Sequence, residues 1–145
     1  MSQRPTDSAA TDDPGVEANL MRPGGLSYLE IPATDPERSA AFYAGVLGWD
    51  VDWRSPGDAR FRDVTGHLIG RWTTGRAAAP EPGLLPYCYV EDIDGALARV
   101  AAHGGMLLGG PDPEGSLWVA RVRDPAGNVI GLWQAGPRRD GPGRD

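Results

Sequence analysis

The feature that most constrains this chain is a repeat whose parts keep their spacing. Asp35 and Asp92 each sit where a helix N-cap is expected, and they stand 57 residues apart. The glycines that follow as helix stops, Gly48 and Gly105, keep the same 57-residue separation. Farther along, Gly66, Ile69, Gly70 and Trp72 match Gly127, Ile130, Gly131 and Trp133, each pair 61 residues apart. A 145-residue chain is long enough for one compact domain with one core, so the duplication predicts two related halves of a single domain.

Local signals fill in the halves. Leu26 to Ile31 mixes apolar and polar residues and ends at Pro32, as a strand does. Asp35-Pro36-Glu37 gives a cap, a proline suited to the first helical turn and an acid near the positive helix end. Ala40, Ala41, Phe42, Val46 and Leu47 then form an apolar face at helical spacing. Strands are predicted over Trp49–Arg54, Ala59–Val64 and His67–Thr73, with Thr65-Gly66 as a tight turn. Arg76 to Gly83 reads as a linker. The order then repeats: a strand at Leu85–Val90, a helix through Ala102, and strands at Met106–Leu108, Leu117–Val122 and Val129–Gln134, the last two joined by the turn Asp124-Pro125-Ala126-Gly127.

Outside this pattern the chain has little to bury. Residues 1–23 and 136–145 are rich in Pro, Gly, Ser and Asp, and are predicted to be disordered tails around a domain at 24–135, with modules at about 24–76 and 83–135. The net charge of −6 disfavours nucleic acid and anionic membranes as partners. No apolar stretch approaches the ~20 residues of a membrane span, and the N-terminus lacks the pattern of a signal peptide, so a soluble, cytoplasmic protein is expected. The single cysteine, Cys88, excludes an internal disulfide and reads as a buried, inert thiol.

The segments Tyr28-Leu-Glu-Ile-Pro-Ala-Thr-Asp-Pro-Glu-Arg38, Ala41-Phe-Tyr43 with Gly48-Trp49, Tyr89-Val-Glu-Asp-Ile-Asp94 and Arg123-Asp-Pro-Ala-Gly-Asn-Val-Ile-Gly-Leu-Trp133 carry a resemblance to the vicinal-oxygen-chelate superfamily of glyoxalases, bleomycin-resistance proteins and dioxygenases. The resemblance covers about residues 24–135. It implies an α+β fold of two βαβββ modules forming a curved mixed sheet around a cavity, and a homodimer in which the partner completes that cavity. Metal-dependent members supply His or Glu ligands from the first and last strand of each module. The corresponding positions here are Tyr28, Gly70, Leu85 and Gly131, none of which is a good donor for a divalent ion, so neither metal nor cofactor is expected. His67 and His103 are expected to be structural or solvent-facing.

Alternation from Tyr28 directs Glu30 inward and groups Leu85, Tyr87 and Tyr89, then Leu68, Gly70 and Trp72, and finally Val129, Gly131 and Trp133. With Trp118 and Arg121, these residues predict an aromatic ligand cavity in which the two paired glycines leave space. Arg60 and Arg121, also 61 residues apart, are candidates to orient an anionic or carbonyl group.

Two functions follow. One is metal-independent binding of a hydrophobic or planar small molecule of the natural-product or antibiotic type. The other is a metal-free isomerase, cyclase or lyase using Glu30 with Tyr28 or Tyr87 for proton transfer, helped if burial beside aromatics raises the carboxyl pKa. A metal-dependent glyoxalase or ring-cleaving dioxygenase ranks below both.

Overall fold

The computed structural model describes residues 17–139. The first half runs β1 (Tyr28–Pro32), α1 (Pro36–Leu47), β2 (Asp50–Ser55), β3 (Asp58–Arg62) and β4 (Ile69–Thr73). The second runs β5 (Tyr87–Tyr89), α2 (Ile93–Ala102), β6 (Met106–Glu114), β7 (Leu117–Arg123) and β8 (Val129–Ala135). Each half is a βαβββ module with a four-stranded mixed sheet, ordered β1-β4-β3-β2 and β5-β8-β7-β6. In both, the strand before the helix returns to pair in parallel with the module's last strand. The expected α+β fold of two modules is therefore the one observed.

The helix ends follow the chemistry of their caps. The Asp35 carboxylate accepts from Glu37 N at 3.1 Å, and Asp92 accepts from Gly95 N at 3.1 Å. Gly48 closes α1 in the left-handed conformation at φ 76°. In the second module the left-handed residue is Gly104, at φ 85°, so the stop falls one residue before the Gly105 expected from spacing.

Both helices pack on one face of their sheets and share one core. Phe42, Tyr43 and Val46 of α1 and Ile93, Ala96 and Val100 of α2 meet Ile31, Ala59, Phe61, Trp72, Ala120, Val122, Ile130 and Leu132. Tyr43, Trp49, Phe61 and Trp72 form a continuous aromatic cluster with ring centroids 4.7–5.8 Å apart. Each such pair adds about 0.5–1.5 kcal/mol beyond burial. A buried polar network joins the modules. Tyr43 Oη donates to Asp124 at 2.8 Å, Asp124 also accepts from Ala126 N and Asn128 N, and Asn128 Nδ2 reaches Pro32 O at 2.7 Å.

The expected tails lie largely outside the described residues; of residues 17–23 and 136–139, which are described, several make contacts with the domain. Ala18–Leu20 form a 3-10 turn, Glu17 pairs with Arg62 at 2.6 Å, and Asn19 Nδ2 donates to Gly66 O. At the other end Arg138 pairs with Asp94 at 2.6 Å and lies 5.0 Å above the Trp118 ring. Charge partners that a composition reading does not see offset the entropy of ordering these residues.

Candidate ligand-binding face

The sheet face turned away from the helices carries the candidate site, and which residues reach it depends on the two closing turns. In the first, Asp63 N bonds to Leu68 O; in the second, Asp124 N bonds to Asn128 O. Up to these turns the 61-residue match holds, since Arg60 pairs with Arg71 as Arg121 does with Gly131. The first turn holds one residue more. Beyond it Ile69 stands where Val129 stands, opposite Arg62 and Arg123 respectively. A slip of one residue reverses every side chain of a strand.

Gly70 and Trp72 therefore face the helices, not the candidate site, and Leu68 packs against the core with them. Trp72 is 2% exposed. A Cβ at Gly70 would lie 1.9 Å from Leu29 O and 2.5 Å from Phe61 Cζ, so this glycine serves close packing and does not widen a cavity. Trp118 is a second correction. It pairs with Gln134, packs against the core on the helix side and is covered by Arg138.

The open face of the first sheet is charged. Tyr28, half exposed, and Glu30 share it with Ile69, Arg71, Arg60 and Arg62. Glu30 lies 3.4 Å from Arg71 and 3.2 Å from Arg76, so its neighbours are guanidinium groups and not the aromatic rings expected around it. Arg60 pairs with Asp58 at 3.1 Å.

The open face of the second sheet is aromatic. Val119, Trp133 and Tyr89 form one row across β7, β8 and β5, and Arg121, Gly131 and Tyr87 form the next. Tyr89 meets Trp133 edge to face at 4.8 Å and 70°. A Cβ at Gly131 would lie 2.3 Å from Tyr87 ring carbons, so the bare glycine seats the tyrosine ring. Tyr87 and Tyr89 are 48% and 52% exposed. Leu85 precedes β5 and is half-buried. Beside this face a groove of about 180 Å³ runs along β6 and β7, lined by Gly109, Asp112, Pro113, Glu114, Val119 and Arg121.

The histidines lie elsewhere. His67 Nδ1 is 3.1 Å from Asn19 O, and His103 Nδ1 is 2.9 Å from Arg99 O at the end of α2. Burial, with a contribution from the Asp63 charge, pushes the Cys88 thiol up to about 11. Among the described residues no three His, Cys, Asp or Glu side chains gather closely enough to hold a metal ion. Phenols and guanidiniums in the open-face positions do not fit a divalent cation.

The Tyr43–Asp124 bond and the placement of Ile69 and Arg71 escaped sequence reasoning. The second had a signal, since Asp63-Val-Thr-Gly-His-Leu68 is one residue longer than Asp124-Pro-Ala-Gly-Asn128.

A model of the Glyoxalase/Bleomycin resistance protein/Dioxygenase superfamily matches residues 25–132. A Mycobacterium bovis protein named as a glyoxylase, CFP32, is 27% identical over 123 residues, covering 79% of this chain; the chain spans about half (47%) of that relative's length. TnmS3, an antibiotic binding protein from Streptomyces sp. CB03234, is similar in structure at TM-score 0.59 and 25% identity, over 78% of this chain and 97% of that one. A glyoxalase/bleomycin resistance protein/dioxygenase family enzyme from Burkholderia phytofirmans shares the fold at TM-score 0.64 and 21% identity, over 76% and 98% of the two chains.

Proposed function

The chain belongs to the Glyoxalase/Bleomycin resistance protein/Dioxygenase superfamily, and from that premise we propose that it binds a hydrophobic, planar small molecule of the natural-product or antibiotic type without a metal. The observation that carries the reading is the aromatic patch on the open face of the second sheet, half-exposed Tyr89 against partly buried Trp133, beside half-exposed Tyr87. Rigid rings of this kind clasp a flat ligand at small conformational cost. The antibiotic-binding role named for TnmS3 agrees with this reading.

A single chain leaves both open faces exposed, and large apolar residues stand out around them, including Leu26, Tyr28, Leu84 and Tyr87. In the proposed functional state a second copy covers these residues and encloses the ligand. Sedimentation at micromolar concentration is expected to give a dimer.

Geometry favours binding over the proton-transfer alternative, because the Glu30 carboxylate is engaged by two guanidiniums and lies on the charged sheet. Titration with anthracene-2-carboxamide, followed by tryptophan fluorescence and mass spectrometry, tests the proposal. Saturable quenching with the probe recovered intact supports it. Chemical conversion of the probe, or quenching unaltered in Trp133→Leu, overturns it.

A further inference from the structure

We infer, resting on the proposed function, that the ligand is a planar acid, and that Arg121 is the residue that selects its negative charge. The arginines of the two sheets differ in their partners. On the first sheet Arg60 pairs with Asp58, Arg62 with Glu17, and Arg71 with Glu30, which also holds Arg76 from the following segment. On the second sheet Arg123 Nη1 donates to Gly127 O at 2.8 Å. Arg121, exposed in the middle of β7, has no carboxylate within 4 Å among the described residues. Asp112 and Glu114 line the adjoining groove, on β6, without reaching ion-pairing distance.

The position of Arg121 relates its guanidinium to the aromatic row. Arg121 is level with Gly131 and Tyr87, one row from Val119, Trp133 and Tyr89 on the same face. Diagonal neighbours on one face of antiparallel strands are roughly 7–8 Å apart. That span matches two or three fused rings lying on Trp133 with an acidic group at the edge meeting Arg121. Guanidinium presents paired donors suited to a carboxylate or phenolate, and its bonds to charged acceptors are stronger than those to neutral ones. The chain's net charge of −6 acts against an anion at long range, but screening confines exposed charges to about 8 Å at physiological salt, so the local guanidinium decides.

The test pairs anthracene-2-carboxylate with its neutral carboxamide, each titrated against the full chain at low and high salt. We expect the acid to bind wild type roughly 10-fold tighter at low salt, with the preference shrinking at 0.5 M salt. Arg121→Gln should abolish the preference by weakening binding of the acid more than that of the carboxamide, with the circular dichroism spectrum unchanged, and Arg121→Lys should restore part of it. Equal affinities for the two probes would overturn the acidic-ligand inference while leaving the proposed function standing. A preference that survives in Arg121→Gln would overturn the assignment to this residue. Failure of both probes to bind would overturn the proposed function, and with it this inference.

Discussion

The two sheets share a backbone plan and differ in what they present. Both place a strand, a capped helix and three further strands in the same order, and both bury one face beneath the helix. On the free face, however, the first sheet carries arginines matched to carboxylates, whereas the second carries three aromatic rings and two arginines with no carboxylate in ion-pairing reach among the described residues, Arg123 held by a backbone carbonyl and Arg121 without one. Buried positions answer to packing in both halves, which is why Ala59 and Ala120, or Phe61 and Val122, keep equivalent places. Free-face positions escape that constraint and are where the halves have become chemically unlike.

The turns show the same asymmetry, and the largest expected effect tests it. Asp63 serves only its own turn, accepting from Gly66 N, Leu68 N and Thr65 Oγ1. Asp124 is 3% exposed and ties its turn to α1 through Tyr43. Removing it leaves a buried hydroxyl and two backbone N–H groups without their acceptor. Asp124→Ala is expected to cost about 3–5 kcal/mol in urea unfolding, since several buried donors each lose about 1–3 kcal/mol, against about 1 kcal/mol for Asp63→Ala. Equal losses would show that the second turn is no more a fastening point than the first.

The glycines of the closing strands give the next largest contrast. A methyl at Gly70 meets backbone oxygen and the packed Phe61 ring, so Gly70→Ala is expected to cost about 3 kcal/mol, the upper end of overpacking. The atoms nearest a methyl at Gly131 are those of the Tyr87 ring, which is half-exposed rather than packed in the core. Gly131→Ala should cost under about 1 kcal/mol and weaken binding of a planar probe by displacing that ring. Thermal unfolding with a parallel titration separates the two effects. Comparable stability losses would contradict the assignment of opposite faces to these residues.

That contrast also marks where sequence reasoning stopped being sufficient. The strand-helix-strand order, both N-caps and most of the apolar face of α1 were legible because caps and periodicity are local signals, although Ala41 is exposed and Tyr43 takes a buried place on that face. The matched Ile-Gly-X-Trp strings were misleading for an equally physical reason. Four residues look alike at a fixed offset, but one added turn residue changes which face they reach, and only the longer first turn discloses it. Trp133 and Trp72 thus end on opposite faces, one beside Tyr89 and the other beneath Tyr43. The environments of Glu30 and Trp118 were illegible, since Arg76 and Arg138 approach them from beyond the paired strands.

The smallest expected effect lies beneath the aromatic sheet. Cys88 alternates with Tyr87 and Tyr89 but turns toward the core, level with Leu132. Burial lifts its thiol from an ordinary 9.0 to about 11, because the thiolate would lose water without gaining a cation. Since the folded value lies above the unfolded one, the neutral thiol's contribution is fully present below about pH 9 and is lost as pH rises toward about 11. Cys88→Ala should accordingly flatten part of the alkaline decline in stability, and iodoacetamide should modify native Cys88 far more slowly than the unfolded chain at pH 8. Fast labelling of the native protein would mean that β5 opens readily. Tyr87 and Tyr89 would then lack the fixed backing that a stacking face requires.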